Sequence, residues 1–107
     1  MTTIRFYRTH GRLTGFSCVG HSGYAASGED IVCAAVTSAI RLAECTINDV
    51  LSARAAVSVD QMTAEISLTL PASCKRSAEC EAVLTGLFLY MSELSKENPN
   101  HLTVLEV

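Results

Sequence analysis

The stretch TIRFYRTHGRLTGFSCVG, residues 3–20, predicts the β-hairpin from which the fold is built. Apolar Ile4 and Phe6 alternate with more polar neighbours, which is the pattern of a strand with one buried face. The predicted elements are a strand at residues 3–8, a turn around a glycine at residues 9–12 and a second strand at residues 13–20.

Two amphipathic helices are expected after the hairpin. Residues 31–51 and 73–96 carry apolar side chains every three or four positions, the spacing of one buried helix face. Asp30 precedes the first segment in the position of an N-cap, and Asn98 with Pro99 ends the second. The expected buried positions are Val32, Val36, Ala39, Ile40, Ala43, Ile47 and Val50 in the first helix, and Cys80, Val83, Leu84, Leu87, Phe88, Met91 and Leu94 in the second.

The remaining segments predict three more strands. Residues 55–59 and 62–70 form a second hairpin around Asp60 and Gln61, and residues 102–107 form a closing strand. The buried face of the strand at residues 62–70 is expected to hold Met62, Ala64, Ile66, Leu68 and Leu70. The order ββαββαβ favours an α+β two-layer sandwich, with a largely antiparallel sheet and two long helices on one face.

Length and composition fit a single domain that spans residues 1–107. The chain is 49% hydrophobic and 18% charged, an apolar balance that suggests a buried self-association surface. The net charge is -3 without a basic cluster, which argues against direct nucleic acid binding. The N-terminus lacks the apolar core of a signal peptide, and no run approaches the ~18 apolar residues of a membrane span. We therefore expect a cytoplasmic protein that does not associate with membranes.

A glycine-rich link of about nine residues joins the second strand to the first helix, with His21 at its start and Cys33 just beyond its end. Such links usually take ~2 to 6 residues, so a functional reason for its length is expected. A thiolate is favoured near the amino end of a helix, where free amides and the helix dipole stabilise negative charge. An imidazole within hydrogen-bond reach would complete a nucleophile and base pair. The same amides, including that of Cys33, would then stabilise an oxyanion.

The spacing of these residues alone leaves other interpretations open. Cys33 also fits a small buried apolar residue, and His21 also fits a surface residue. Cys18, His21 and Cys33 together would offer three metal ligands. Strand alternation turns Cys18 away from His21 and a fourth ligand is missing, so no metal site is expected.

The chain has five cysteines, an odd number without an export signal, which favours reduced thiols over disulfides. Cys45 lies on the polar side of the first helix and Cys80 in the apolar stripe of the second, so both are expected to be structural. Cys74 lies beside Lys75 and Arg76, but no histidine is placed near it, so we expect a surface cysteine.

The run GHSGYAASGEDIVCAAVTSAI, residues 20–40, resembles the signature of the bacterial ribosomal-processing cysteine proteases, the Prp family. Their pattern is close to G-H-[AS]-G-Y-A, a short variable stretch and then G-x-D-I-V-C-A-A-V-[ST]. The matching residues are Gly20, His21, Gly23, Tyr24, Ala25, Gly28, Asp30, Ile31, Val32, Cys33, Ala34, Ala35 and Val36. The order of elements and the ending in an apolar helix, a proline and a last strand are similar too. The resemblance therefore spans essentially the whole chain.

The resemblance implies a cysteine endopeptidase with Cys33 as nucleophile and His21 as general base. Its implied substrate is the N-terminal extension of the large-subunit ribosomal protein bL27, which is removed after a pair of phenylalanines in support of ribosome maturation. Asp30 belongs to the motif and fits either a helix cap or a residue that orients the site. The implied substrate loop consists of Gly20, Ser22, Gly23, Tyr24, Ala25 and Gly28, with Ser22 where alanine is commoner. The family also implies a homodimer that needs neither a metal nor an organic cofactor.

Two hypotheses compete with the endopeptidase. A non-catalytic ribosome-assembly factor that binds the same extension through the loop would use His21 as a contact residue. A thiol redox sensor at Cys33 would need a resolving cysteine, and the sequence places none in obvious reach. Cleavage of a peptide that contains the paired phenylalanines separates the endopeptidase from both.

Overall fold

The strands and helices follow the predicted order ββαββαβ in residues 1–20 and 29–107, which are the residues that the computed structural model describes. The elements are β1 (Thr2–Thr9), β2 (Arg12–Val19), α1 (Glu29–Cys45), a π-helical turn (Thr46–Val50), β3 (Ala56–Asp60), β4 (Glu65–Thr69), α2 (Ser77–Glu97) and β5 (Leu102–Glu106). The predicted α+β class is therefore confirmed.

The five strands of the described residues form one sheet in the order β3-β4-β2-β1-β5. Neighbouring strands are antiparallel except β1 and β5, which run parallel, so the sheet is largely antiparallel as predicted. Register brings Phe6 opposite Phe16, and Phe16 opposite Leu68 on the next strand. These three side chains share one face of the sheet, because directly paired residues point to the same side. All three are buried.

The first hairpin turns where the sequence predicts it. His10 and Gly11 both have positive φ, at 54° and 80°, the backbone of a two-residue hairpin turn that matches the twist of the strands. On the face of the sheet away from the core, the Tyr7 hydroxyl and the Ser17 hydroxyl lie 3.0 Å apart. β1 and β2 are thus fixed against each other from both faces.

Both helices contribute their apolar faces to one core. Predicted positions of α1 that are buried are Val32, Val36, Ile40 and Ala43, with Ile47 in the turn that follows. Those of α2 are Cys80, Leu84, Leu87 and Met91, while Val83, Phe88 and Leu94 are partly buried against the core. Phe6 contacts Phe88 edge-on with ring centroids 5.2 Å apart, and this contact fixes α2 on the sheet.

The end of the first helix differs from the prediction at Val50. Val50 was expected on the buried face, but its side chain is 69% exposed. The helix widens into a π-helical turn, in which the Leu51 amide donates to the carbonyl of Thr46 at 2.9 Å. The wider turn changes the angle between successive side chains, so Ile47 stays in the core and Val50 rotates out of it.

The second hairpin turn is longer than predicted. β4 begins at Glu65 rather than at residue 62, and the Asp60 carboxylate accepts hydrogen bonds from the amides of Met62 and Thr63, at 2.9 and 3.4 Å. Ala64 follows with φ of 55°. Met62, predicted to be buried, therefore lies in the turn and is 94% exposed, because an aspartate that binds the following amides ends the strand.

One segment has the length and composition of a membrane span. Residues Ile31–Val50 reach a mean hydropathy of 1.3 over a helix of 20 residues. In the fold, Val36, Ile40 and Ile47 of this segment are buried against the sheet and α2. One face of this segment is therefore packed into the core of the domain.

Candidate active site

Gly20 is the last described residue before the link. It packs closely against Met1 and Thr2 at the start of β1. Its φ of +98° is strained for any residue with a side chain. A Cβ added there would lie 2.5 Å from the Met1 carbonyl oxygen and 3.5 Å from the Thr2 Cα. Glycine is therefore required for close packing against residues 1 and 2, and this packing sets where the link to His21 begins.

α1 begins at Glu29, two residues earlier than the prediction. Asp30 thus lies in the first turn of the helix, whereas we expected it at the capping position in front. Cys33 becomes the fifth helical residue, so its amide is in place to bond to the carbonyl four residues earlier. The use of the Cys33 amide for an oxyanion stays a prediction, and a helix that begins at Glu29 favours the amides that precede it.

The Cys33 side chain is half-buried and faces the amino end of β1. Its Sγ atom lies 3.5 Å from Oγ1 of Thr2, a hydrogen-bond contact in which either group is able to donate. Thr2 itself is fully buried. The thiol predicted to be the nucleophile therefore has a hydroxyl as hydrogen-bond partner on its buried side. Because the side chain is only half-buried, the thiol is also partly accessible to solvent.

Cys18 on β2 lies next to this pair. It is fully buried on the core face of the sheet, opposite Ile4. Burial, and to a smaller extent the charge of the nearby Cys33, raises the pKa of the Cys18 thiol to about 12. Cys18 therefore stays neutral at physiological pH, and of the two thiols only Cys33 is partly exposed.

The structure places three of the nine residues predicted for the site. Gly20 directly follows β2, and Asp30 and Cys33 lie within α1. The others fall outside the described residues: His21, Ser22, Gly23, Tyr24, Ala25 and Gly28. The catalytic roles of His21 and Cys33 and the substrate role of the loop stay predictions.

Thr2 was not predicted to be a site residue. The first strand was predicted to begin at residue 3, so Thr2 lay outside the alternation of Ile4 and Phe6. Extending that alternation by one step would have placed Thr2 on the same buried face. The contact with Cys33 needs the tertiary fold, because the two residues are 31 positions apart in the chain.

The remaining cysteines differ in exposure. Cys45 is exposed and Cys80 is buried, as expected from their positions on the two helices. Burial is the main cause that raises the pKa of Cys80 to about 11. Cys74 was expected on the surface but is half-buried, with its Sγ 3.9 Å from that of Cys80. Within residues 1–20 and 29–107, no group of three or more histidine, cysteine or acidic side chains is placed to hold a metal ion.

Comparisons with known proteins agree with this geometry. The profile of the family described as cysteine protease Prp matches residues 1–103. The ribosomal processing protease Prp from S. aureus, solved with a substrate peptide, superposes with a TM-score of 0.90 at 17% identity, over 100% of both chains. The same protease with a covalently linked product peptide gives 0.84 at 17% identity, again over 100% of both chains.

A third solved structure, SMU.848 from Streptococcus mutans, gives a TM-score of 0.91 at 21% identity, over 100% of this chain and 94% of that one. No match was found among the curated proteins. At these identities the superpositions establish the shared fold, and the family match covers nearly the whole sequence.

Proposed function

The chain belongs to the cysteine protease Prp family, and from this membership we propose that it removes the N-terminal extension of ribosomal protein bL27 by cutting after paired phenylalanines. The observation that carries the proposal is the position of Cys33. It is a half-buried thiol near the amino end of α1, the helix that follows the link that holds His21. Its family motif, residues 20–36, supplies both a nucleophile and a base.

The proposed reaction begins when His21 takes the proton of the Cys33 thiol. The thiolate attacks the carbonyl carbon of the second phenylalanine, and a C–S bond forms. The C–N bond then breaks, and the histidine returns its proton to the leaving amine. Water, deprotonated by the same histidine, hydrolyses the thioester and releases the extension. The reaction needs no metal and no organic cofactor.

The oxyanion is proposed to bind amides in the first turn of α1. The first four amides of a helix have no partner within the helix, and they lie at the positive end of its dipole. In a helix that begins at Glu29 these amides precede Cys33 in the chain. Asp30 belongs to the same turn, and its proposed role is to help position the turn beside the nucleophile.

The link between Gly20 and Cys33 is proposed to cover the bound peptide. Gly23 and Gly28 would act as hinges at its two ends, because glycine accepts a wide range of backbone angles. Tyr24 would then contact a phenylalanine of the substrate, with Ser22 and Ala25 leaving room for the peptide chain. This places peptide recognition and the nucleophile on one continuous segment.

A homodimer in the cytoplasm is the proposed form of the enzyme. A groove of about 570 Å³ runs between α1 and α2 and is lined mostly by apolar or small side chains, among them Leu42, Val83 and Tyr90. Leu42 and Tyr90 are exposed. Burying them against a second copy would remove apolar surface from water, which supports self-association on this face.

The test compares the wild type with Cys33→Ala and His21→Ala on a peptide that contains the paired phenylalanines. We expect both variants to lose cleavage while remaining folded, as circular dichroism should show. The matched control is Cys45→Ala, which removes an exposed thiol from the same helix and should cleave normally. Product masses locate the cut. Cleavage by Cys33→Ala would refute the nucleophile, and binding without cleavage by the wild type would favour the assembly factor.

A further inference from the structure

We propose that Thr2 is a positioning residue that holds the Cys33 sulfur and stabilises its thiolate through a hydrogen bond. The inference rests on the proposed role of Cys33 as the nucleophile. It assigns a function to a residue at the start of β1 that lies outside the motif of residues 20–36. The hydroxyl would act on the substrate only through the sulfur.

The contact is short and enclosed. Thr2 Oγ1 lies 3.5 Å from Cys33 Sγ, and Thr2 has 0% of its surface exposed. Among the described residues, Cys33 is the hydrogen-bond partner that the structure gives to the Thr2 hydroxyl. Since a buried hydroxyl without a partner is costly, Thr2 and the thiol depend on each other for hydrogen bonding.

The direction of the bond depends on the charge of the sulfur. With a neutral thiol either group donates, but a thiolate has no proton and is able only to accept. The Thr2 hydroxyl must then donate to the negative sulfur, and a hydrogen bond to a charged group is roughly twice as strong as one between neutral groups. The contact therefore favours the ionised form over the neutral one.

The backbone of Thr2 is fixed by its pairing with β5. β1 lies between β2 and β5, and the Thr2 amide donates to the His101 carbonyl at 2.9 Å. Thr2 is also register partner of Leu102 on β5. A β-branched side chain on such a strand has few rotamers, so the hydroxyl is already aimed at the sulfur before the thiolate forms.

The start of α1 explains why such a donor is useful. Because the helix begins at Glu29, Cys33 lies beyond the first turn, where its own amide is in place to bond within the helix. Thr2 supplies a donor at the sulfur itself. Cys18, which lies on β2 near enough to Cys33 for their charges to interact, keeps its proton because burial raises its pKa to about 12, so it adds no opposing charge. His21 is the other titratable group assigned to this sulfur and lies outside the described residues.

The test uses the full chain and two readouts, the kcat/KM for the paired-phenylalanine peptide and the pH midpoint of Cys33 alkylation by iodoacetamide. Digestion with trypsin and glutamyl endopeptidase isolates residues 30–41, which contain Cys33 as their one cysteine. The variants are Thr2→Val, which removes the hydroxyl with little change of shape, and Thr2→Ser, which keeps it. Thr3→Val makes the same change on the next residue, which points to the opposite face of the sheet.

We expect Thr2→Val to raise the pH midpoint of alkylation by about one unit and to lower kcat/KM about tenfold, chiefly through kcat. Thr2→Ser should restore most of both, and Thr3→Val should match the wild type. Equal midpoints in the wild type and Thr2→Val would overturn the proposal. If Thr2→Val does not fold, Thr2→Ala and Thr2→Ser replace it, and equal midpoints in that pair would overturn it too.

The alkylation measurement tests the role of Thr2 independently of whether the protein cleaves the peptide. A wild type that never cleaves the peptide refutes the protease assignment, whereas the dependence of the thiol on Thr2 is still measured. A wild type that cleaves, with no loss in Thr2→Val, refutes the role of Thr2 alone.

Discussion

Replacing Gly20 with alanine should disturb both the fold and the candidate site. The new methyl group would lie 2.5 Å from the Met1 carbonyl oxygen, about 1 Å closer than ordinary contact, and backbone on both sides would have to move. The φ of +98° adds strain for any L-residue. Strain and overpacking together should lower the free energy of unfolding by about 2 to 5 kcal/mol.

Two other glycines provide matched controls that separate the cost of backbone strain from the cost of overpacking. Gly11 has φ of +80° but open space around it, so Gly11→Ala should show the strain alone, about 1 to 2 kcal/mol. Gly86 lies within α2 with open space and no positive φ, so Gly86→Ala should raise stability by about 0.5 to 1 kcal/mol. Urea unfolding monitored by circular dichroism measures all three.

Activity separates a local effect from loss of stability. The displaced carbonyl belongs to the residue before Thr2, so Gly20→Ala should lower peptide cleavage even where the protein remains folded. Gly11→Ala should cleave like the wild type. If Gly20→Ala were no less stable than Gly11→Ala and cleaved normally, the packing of Gly20 against residues 1 and 2 would not support the site.

Three further predictions concern the pH dependence, the surface and the core. In the fold Cys18 ionises near pH 12 rather than near its ordinary value of about 8.5, so between these values the unfolded chain loses a proton that the folded chain keeps. The free energy of unfolding should therefore fall as pH rises through this window, and the fall should be shallower in Cys18→Ala; an unchanged slope in chemical denaturation would contradict the assignment. Leu42→Glu should convert a dimer into a monomer in analytical ultracentrifugation without loss of helix content, and an unchanged sedimentation coefficient would exclude this face. Phe6→Ala should cost about 3 to 5 kcal/mol in urea unfolding, because Phe6 is buried between Phe16 and Phe88, and a cost under 1 kcal/mol would show that the core has repacked.

The sequence was most informative where a pattern repeats. The alternation of Ile4 and Phe6 and the helical spacing from Leu84 to Met91 each place several residues on one face, so errors at single positions matter little. These patterns yielded the order of elements and the two layers. The parallel pairing of β1 with β5 required the structure, because residues far apart in the chain set it.

The predicted burial was wrong at positions where one local hydrogen bond determines the backbone conformation. Asp60 ends β3 by accepting bonds from the next amides, and this exposes Met62 despite an unbroken alternation. The π-helical turn at Thr46–Val50 similarly exposes Val50, since the helical period changes inside an otherwise regular pattern. Both wrong predictions arise from hydrogen bonds that the spacing of apolar residues does not reveal.

The candidate site was predicted only in part. The motif identified Gly20 and Cys33, and the structure explains the first by its backbone angle and close packing. Thr2 was missed because its partner is distant in sequence and its own neighbourhood carries no motif. Contacts between a strand and a helix that are far apart in the chain are invisible to spacing rules, and here such a contact reaches the proposed nucleophile.

The most direct test of the account is the site of covalent attachment by a substrate-like inhibitor. A short peptide chloromethyl ketone that ends in two phenylalanines should alkylate the nucleophile from the acyl position. After digestion with trypsin and glutamyl endopeptidase, mass spectrometry should find the added mass on residues 30–41, and therefore on Cys33, at one equivalent per chain. Attachment to Cys45 or Cys74 in place of Cys33, with cleavage activity lost in parallel, would contradict the account.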